Sequence, residues 1–389
     1  MKICFVVQRY GLEVNGGAEL HCMQLAEHML PHCEKVDVLT TKAIDYITWK
    51  NEYTADEEDI NGVHVRRFPV TKERNQKVFD EINTRFMQGR LKSTEEQEWI
   101  DKQGPLVPAL VEYLKEHQYD YDCIIFFAYL YYPSVMGIRV VDNKVIMLPL
   151  AHDEPFLKMH IFDPIFRRPD AFFFNTEEER NLIIAKYDNA DIKYNFGGVG
   201  VDLPEVVDAD RFKKKYNLDD YIVYVGRIDE GKNCPQLFDY FREYKKRNGG
   251  DLKLVLMGKP VIPVPEADDI VSLGFVTDED KFDGIKGARA LVLPSRFESL
   301  SMVVLEAMSL RTPVIVNGEC PVLRAHCIKS DAAFYYDNYY EFEGELKYLY
   351  SHDDVVEQMK ENGVKYVETN YTWDKIIEKL INLIHEITE

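Results

Sequence analysis

Two carboxylates in the stretch "PSRFESLSMVVLEAM" (294–308) are spaced in a way that limits the chemistry they can share. Glu298 follows an apolar strand, and Glu306 lies eight positions later in an apolar helical segment. A helix would separate them by about 12 Å along its axis and by about 80° around it. They are too far apart for one shared proton or metal ion, but they can contact two parts of an extended ligand. Vicinal ribose hydroxyls would suit Glu306, and the alternative is that this side chain lies on the outer face of its helix.

Two cations flank a second turn, in the stretch "YVGRIDEGKN" (224–233). A strand predicted to end at Gly226 is followed by Arg227, and Lys232 comes five positions later, before a helix predicted to begin near Asn233. Unpaired N–H groups at a helix start attract anions, which a planar guanidinium and an ammonium would also bind. The pattern indicates a pyrophosphate clamp, and the alternative is a solvated turn with two surface cations.

Two further loops follow apolar strands in the first half of the chain. Gly16 and Gly17 precede a predicted helix, where a glycine loop lets the backbone approach a ligand, although the dinucleotide fingerprint GxGxxG is absent. His152 and Asp153 follow the strand that ends near Leu150, and histidine is the usual proton carrier near neutral pH. The alternatives are an ordinary glycine turn and a loop histidine that binds the backbone.

The elements that must position these residues alternate between short apolar strands and longer helical patterns. Continuous runs of Val, Ile, Leu and Phe are typical of parallel strands that are covered on both faces. The sequence therefore predicts an α/β fold with two Rossmann-like, doubly wound parallel-sheet domains. The strands are predicted at 2–8, 35–41, 63–70, 122–128, 144–150, 171–176, 192–196, 221–227, 252–258, 270–274, 290–295, 313–318 and 333–337.

The domain boundary is predicted in the Gly- and Pro-rich stretch 197–210. The first domain then covers residues 1–203 and the second covers 204–371. The last segment, 372–389, has apolar residues at helical spacing and must bury that stripe, with the first domain as the candidate surface.

Composition and charge exclude some classes of function. The formal net charge of −20 is shared by both halves, which argues against a nucleic-acid-binding face. Seven scattered cysteines without a CxxC pair favour a reducing compartment. We find no signal-peptide pattern and no apolar run near the ~20 residues that span a bilayer, so we expect a cytoplasmic protein whose membrane contact, if any, is peripheral.

Taken together, these motifs resemble the retaining glycosyltransferases of family 4, which have the GT-B fold with two domains facing a central cleft. The similarity rests on "VGR" (225–227), on Lys232, and above all on "LVLPSRFESLSMVVLEAMSLRTPVIV" (291–316), which contains the E-x7-E signature as Glu298 and Glu306. It extends over nearly the whole chain and is thinner in the first half, where acceptor-binding regions vary.

The resemblance implies roles for individual residues. Arg227 and Lys232 match the family's cations that bind the donor diphosphate. Glu306 matches the residue that binds the ribose hydroxyls of the donor. Glu298 and His152 match residues beside the donor sugar. Contacts to the donor are implied for the loops containing Gly17, Gly226 and the backbone N–H groups of Leu300, Ser301 and Met302. The family's loop after the first glutamate is glycine-rich, whereas this chain has Ser299-Leu300-Ser301, which leaves the donor sugar open.

The implied function is transfer of a hexose from a UDP- or GDP-sugar to a glycan, lipid-linked or small-molecule acceptor, in cell-surface polysaccharide or glycoconjugate synthesis. The alternative is a non-catalytic subunit that binds nucleotide sugars or glycans. The family requires no metal and no other cofactor. Three Asp-x-Asp pairs, at 120–122, 208–210 and 278–280, match the metal motif of glycosyltransferases with another fold, and we interpret them as chance matches in an acidic chain.

Overall fold

The computed structural model describes residues 1–389, which divide into two compact units. The first unit contains Met1–Val199 together with Trp373–Glu389, and the second contains Gly200–Thr372. The division between Val199 and Gly200 falls inside the stretch 197–210.

The sheet of the first unit has eight strands. They are β1 (Lys2–Val6), β2 (Lys35–Thr41), β3 (Glu57–Ile60), β4 (Val63–Phe68), β5 (Cys123–Phe127), β6 (Val145–Leu148), β7 (Ala171–Phe174) and β8 (Lys193–Phe196). Their order is β3-β4-β2-β1-β5-β6-β7-β8, and every neighbouring pair is parallel except β3–β4. Strands β5, β6 and β7 are buried along their whole length, because helices cover both faces of the sheet.

The helices of the first unit connect these strands. They are α1 (Gly17–Met29), α2 (Gln76–Met87), α3 (Glu96–Gln103), α4 (Pro108–His117), α5 (Tyr132–Val140), α6 (Asp163–Arg167) and α7 (Glu177–Tyr187). Helix α1 begins directly after the loop that follows β1, so its N-terminus lies at the carboxyl edge of the sheet.

The second unit has a six-stranded, fully parallel sheet. Its strands are β9 (Tyr221–Val225), β10 (Lys253–Met257), β11 (Ile270–Gly274), β12 (Ala290–Leu293), β13 (Val314–Asn317) and β14 (Ala333–Tyr336), in the order β11-β10-β9-β12-β13-β14. Its helices are α8 (Ala209–Tyr216), α9 (Cys234–Asn248), α10 (Asp278–Gly287), α11 (Met302–Ser309), α12 (Pro321–Ser330), α13 (Tyr339–Ser351) and α14 (Asp353–Asn370). The strand order reverses between β9 and β12, and ligands of open α/β sheets bind at the carboxyl ends of strands at such a switch point.

The last helix, α15 (Trp373–Thr388), belongs to the first unit. It contacts α1, β7 and β8. The rings of His28 and Trp373 stack with their centroids 4.1 Å apart where the helix begins. Its buried face consists of Trp373, Ile376, Ile377, Leu380, Leu383, Ile384 and Ile387. The amphipathic stripe in the sequence is thus buried against the sheet edge formed by β8.

The predicted fold class of two doubly wound parallel-sheet domains is confirmed. All thirteen predicted strands are present, most of them shorter than predicted by one or two residues at an end. The sequence prediction missed β3, whose segment "EEDI" is acidic and almost wholly exposed. None of the helices is long and apolar enough to cross a lipid bilayer.

Candidate functional site

The loop after β9 begins with a close contact between backbones. Gly226 has a φ of 148°, and its N–H donates to the carbonyl of Met257 at 2.9 Å. The neighbouring strand β10 is also followed by a glycine, Gly258, where an added Cβ would lie 1.8 Å from the carbonyl oxygen of Gly226. Any side chain at position 258 would therefore push the two strand ends apart. We did not single out Gly258 from the sequence, because nothing local distinguishes it from other glycines.

Asp229 organises both cations of this loop. Its Oδ2 pairs with Nε of Arg227, and its Oδ1 accepts the backbone N–H of Lys232 at 2.8 Å. The hydroxyl of Tyr224 donates to the carbonyl of Arg227 at 2.7 Å, and burial raises the pKa of that phenol, so it keeps its proton. The turn that carries Arg227 and Lys232 is thus fixed by a carboxylate that the sequence prediction missed, although an acid between two cations is a usable signal.

Lys232 also contacts one of the two signature carboxylates. Its Nζ lies 2.6 Å from Oε1 of Glu298, which comes from the loop after β12. The Glu298 side chain is 12% exposed and that of Lys232 is 31% exposed. The structure therefore brings together two predicted site residues that are 66 positions apart.

Asn233, at the start of α9, joins the same two loops. It occupies the N-cap position of α9 with a left-handed φ of 57°, and its side chain makes no capping bond. Instead its amide donates to the carbonyl of Pro294 at 3.1 Å and to the side chain of Gln236 at 2.7 Å. The helix thus begins next to Asn233, as the sequence predicts, while the amide of this residue binds the loop after β12.

The loop after Glu298 ends in a strained residue. Ser301 is the N-cap of α11 with a φ of 70°, a conformation that costs free energy for a residue with a Cβ. Leu300 is buried, and Oγ of Ser301 is buried without a hydrogen-bond partner. The first N–H groups of an α-helix have no partner within the helix, so Met302 begins an array of donors at the start of α11.

Glu306 is buried rather than exposed, so the outer-face alternative is wrong. It is 9% exposed, and its Oε1 accepts from Nζ of Lys281 on α10 at 2.9 Å. The ammonium group offsets the cost of burying the carboxylate. Nothing in the sequence pointed to Lys281, because the pair joins two separate helices.

Gly17 and His152 lie in the first unit, in the segments that follow the carboxyl ends of β1 and β6, which are parallel strands of one sheet. Gly17 is the first residue of α1, and an added Cβ would meet nothing within 4 Å. The loop before it is held by buried Arg9, whose guanidinium pairs with Glu19 at 2.7 Å and donates to the carbonyl of Asn15 at 3.1 Å. Protein packing does not demand a glycine at position 17, and the open space there suits close approach of a ligand.

His152 lies close to the carboxylate of Glu154. Nε2 of His152 lies 3.7 Å from Oε2 of Glu154, and the other oxygen of Glu154 accepts from the hydroxyl of Tyr129 at 2.5 Å. Burial raises the pKa of Tyr129, so the phenol stays a donor. Tyr129 is 2% exposed, so its ring is packed inside the first unit and its hydroxyl serves Glu154.

A buried carboxylate fixes the loop that carries His152. Glu179 on α7 accepts the backbone N–H of Ala151 at 2.7 Å and that of Asn175 at 2.8 Å. Burial raises the pKa of Glu179 to about 8. These bonds tie the ends of β6 and β7 to one side chain, next to the histidine.

The Asp-x-Asp pairs make contacts within the protein. Asp208 caps α8 by accepting from the N–H of Asp210 at 2.9 Å, and Asp280 pairs with Lys215 at 2.7 Å. Asp122 accepts the N–H of Lys2 at 2.7 Å. No group of three or more His, Cys, Asp or Glu side chains is arranged to hold a metal ion.

Residues 207–366 match the sequence model of the family described as glycosyl transferases group 1. The match covers almost all of the second unit, including both signature carboxylates and both cations of the β9 loop.

The curated proteins that are similar to this chain include a full-length match and a partial one. An uncharacterized glycosyltransferase of Methanocaldococcus jannaschii is 24% identical over 98% of this chain and 97% of its own length. The alpha-D-kanosaminyltransferase of Streptomyces kanamyceticus is 33% identical over 27% of this chain, and the matched part spans 31% of that enzyme. With the family match, these relatives support a glycosyltransferase.

A solved structure shows the same fold over the full chain. The Anabaena protein HepE, crystallised with UDP and glucose, superposes with a TM-score of 0.73 at 14% identity, covering 99% of this chain and 100% of that one. At this identity the likeness establishes the GT-B fold of two parallel-sheet domains and no more.

Proposed function

We propose that this chain is a retaining glycosyltransferase that moves a hexose from a nucleotide-diphosphate sugar to an acceptor hydroxyl. The observation that carries the proposal is the Lys232–Glu298 pair at the switch point of the second sheet, next to the Arg227 turn. Cations and helix N-termini that lie close together can bind a diphosphate. A carboxylate beside them can accept hydrogen bonds from sugar hydroxyls. The family match over residues 207–366 supports the same assignment.

In the proposed reaction, the bond between C1 of the sugar and the diphosphate oxygen breaks while the acceptor oxygen bonds to C1 from the same face. The electron pair of the breaking bond stays on the diphosphate, which also takes the proton of the acceptor hydroxyl. Arg227, Lys232 and the N–H groups of Ser301 and Met302 stabilise the charge that develops on the leaving group. Donors that are fixed in advance around such a charge give the largest single contribution in many enzymes.

The two glutamates have separate roles in this proposal. Glu298, held by Lys232, accepts from hydroxyls of the donor sugar. Glu306, held by Lys281, accepts from the ribose hydroxyls of the nucleotide. Each carboxylate has a second oxygen for the ligand after one oxygen has accepted from its lysine.

The first unit supplies the acceptor site and His152 in the proposal. The acceptor class stays as the sequence predicted it: a glycan, a lipid-linked sugar or a small molecule, in polysaccharide or glycoconjugate synthesis. UDP is the first nucleotide to test, because HepE has the same fold and was crystallised with UDP and glucose.

Donor hydrolysis tests the proposal and its metal independence together. UDP- and GDP-sugars are incubated with the purified chain, with and without EDTA, and the products are read by mass spectrometry. We expect one donor to be hydrolysed slowly to free sugar and nucleoside diphosphate, at the same rate in EDTA, because Arg227 and Lys232 neutralise the leaving group.

Two other outcomes would count against parts of this proposal. Loss of hydrolysis in EDTA with recovery in Mn²⁺ or Mg²⁺ would show a metal requirement. Tight nucleotide binding without consumption of any donor or transfer to sugar acceptors would favour the non-catalytic subunit.

Glu306→Gln should weaken nucleotide binding more than it slows turnover. The ribose hydroxyls are the same in the substrate and in the transition state, so losing the contact between them and Glu306 should mainly raise KM. Loss of one charged hydrogen-bond acceptor should raise the Kd for UDP or GDP by about tenfold or more, as measured by calorimetry.

Glu343→Gln is the matched control for this variant. Glu343 is also buried and ion-paired, with Lys347 at 2.7 Å, but it lies on α13 and outside the predicted site. Circular dichroism should show that both variants are folded. Wild-type nucleotide affinity in Glu306→Gln would make this glutamate a structural residue only.

A further inference from the structure

A buried histidine lies behind the loop that precedes α11. His326 on α12 is 2% exposed, and its Nε2 lies 2.8 Å from the carbonyl oxygen of Leu300. Its Nδ1 lies 3.0 Å from the hydroxyl of Tyr366 on α14. That hydroxyl is in turn 3.3 Å from the hydroxyl of Tyr371. A row of polar groups therefore runs from the backbone of the loop to the end of α14.

The partners of the ring determine where its proton lies. A carbonyl oxygen can only accept, so Nε2 must carry the hydrogen that it donates to Leu300. In the neutral ring Nδ1 is then the acceptor, and the Tyr366 hydroxyl donates to it. The buried ring has a partner for both nitrogens, which lowers the cost of placing a polar side chain there.

The bond from His326 controls the direction of the next N–H group. The peptide between Leu300 and Ser301 is trans, because the only cis peptide bond in the structure is Gly104–Pro105. In a trans peptide the C=O and the following N–H point in opposite directions across one plane. When His326 holds the Leu300 carbonyl on one side, the N–H of Ser301 must point to the other.

The conformation of Ser301 explains why such a bond is needed. A serine with a φ of 70° is not held there by its own preferences, so the surroundings must impose the conformation. Ser301 has no side-chain capping bond of its own. The bond between His326 and Leu300 is a fixed contact on the peptide just before it.

We infer that His326 is a positioning residue that aims the N–H of Ser301, at the start of α11, toward the diphosphate of the donor. This inference rests on the proposed function and adds a residue that neither the family resemblance nor the sequence pattern supplied. The geometry also predicts which replacement is tolerated. A glutamine amide can place an N–H near the position of Nε2, whereas an asparagine amide reaches only as far as Nδ1.

The test compares four variants with wild type, using the donor found by the hydrolysis screen and UDP or GDP in calorimetry. His326→Leu and His326→Asn should lower kcat by about tenfold or more, because an oriented donor at a developing charge is lost. His326→Gln should stay within about threefold of wild type. The kcat of Tyr366→Phe should lie between these two groups, because this variant loses the hydrogen bond to Nδ1 of His326 and keeps the hydrogen bond from Nε2 to Leu300.

The glutamine rescue separates positioning from packing. Leucine fills the space of the histidine but cannot donate a hydrogen bond. If His326 only packs, His326→Leu should therefore lower kcat little, and His326→Gln should have no higher kcat than His326→Leu. Thermal unfolding of each variant shows how much stability is lost, and Tyr366→Phe keeps the test usable if the leucine variant does not fold.

The outcomes also separate this inference from the proposed function. If wild type binds no nucleoside diphosphate and hydrolyses no donor, the proposed function fails, and this inference fails with it. If wild type is active and Arg227→Ala is impaired, while folded His326→Leu and His326→Asn keep wild-type kcat, the proposed function stands and the inference is overturned.

Discussion

Arg227→Ala and Lys232→Ala are expected to lower kcat/KM by roughly 10²- to 10³-fold each, which corresponds to about 2.7–4 kcal/mol of transition-state stabilisation. In the proposed mechanism, each variant removes a cation that stabilises the charge on the leaving diphosphate. Lys232→Ala should also weaken donor binding in a second way. Without its Nζ at 2.6 Å, the Glu298 carboxylate would face the incoming diphosphate with no cation between them.

The second part of this prediction concerns coupling between Lys232 and Glu298. The free energy of UDP or GDP binding is measured by calorimetry for both single variants and for the double variant Lys232→Ala/Glu298→Gln. The double variant should bind the nucleotide more tightly than the summed free-energy changes of the two single variants predict. The reason is that the second substitution removes the repulsion that the first exposes. Groups in direct contact are expected to be non-additive in such a cycle.

Two surface cations of the same unit serve as controls. Arg242 on α9 and Lys214 on α8 are exposed, and alanine at either position should leave kcat/KM nearly unchanged. Near wild-type kcat/KM in both Arg227→Ala and Lys232→Ala would contradict the assignment of these side chains to the diphosphate.

His152→Ala should lower kcat by about 10²-fold while the Kd for UDP or GDP changes by less than about threefold. His152 belongs to the first unit, whereas every contact proposed for the nucleotide except Gly17 lies in the second. In the proposed mechanism the histidine acts at the sugar, and in the structure its Nε2 lies 3.7 Å from Oε2 of Glu154. Single-turnover kinetics with the donor, together with calorimetry, measures both quantities on one preparation.

His160→Ala is the matched control, because this histidine is in the same unit and its side chain is 75% exposed. It should retain wild-type kcat. A His152→Ala variant that is folded, binds nucleotide normally and turns over at the wild-type rate would remove the histidine from the mechanism. A variant that mainly loses nucleotide affinity would assign His152 to binding.

The hydrophobic pattern was sufficient to predict the fold, because most strands are central and parallel, and most of these contain a continuous apolar run. β3 fails this rule for a physical reason: it is an antiparallel edge strand paired only with β4, so its side chains need not be apolar. Its acidic residues match cations on the partner strand instead, as in the Arg66–Glu57 pair.

Local spacing was sufficient to select candidate site residues, whose roles stay predictions, but it did not reveal the side chains that contact them. Glu298 and Glu306 stand out within one short segment, as do Arg227 and Lys232. Lys281 and His326 do not, because the first contacts a side chain of another helix and the second contacts the backbone of a loop that is distant in sequence. Such contacts depend on three-dimensional register, which a single sequence does not encode in any local pattern.

The position of α15 has a consequence for the order in which the protein is built on the ribosome. Residues 200–372 form one continuous segment and can fold as soon as they have emerged. The first unit cannot, because α1 and β8 remain uncovered until the chain has been synthesised through Ile387. We therefore expect the unit that begins the chain to complete its folding last, and a chaperone that binds exposed apolar surface to find it in that interval. Premature termination near residue 372 would then damage the first unit, although every residue lost is more than 170 positions away from its main segment.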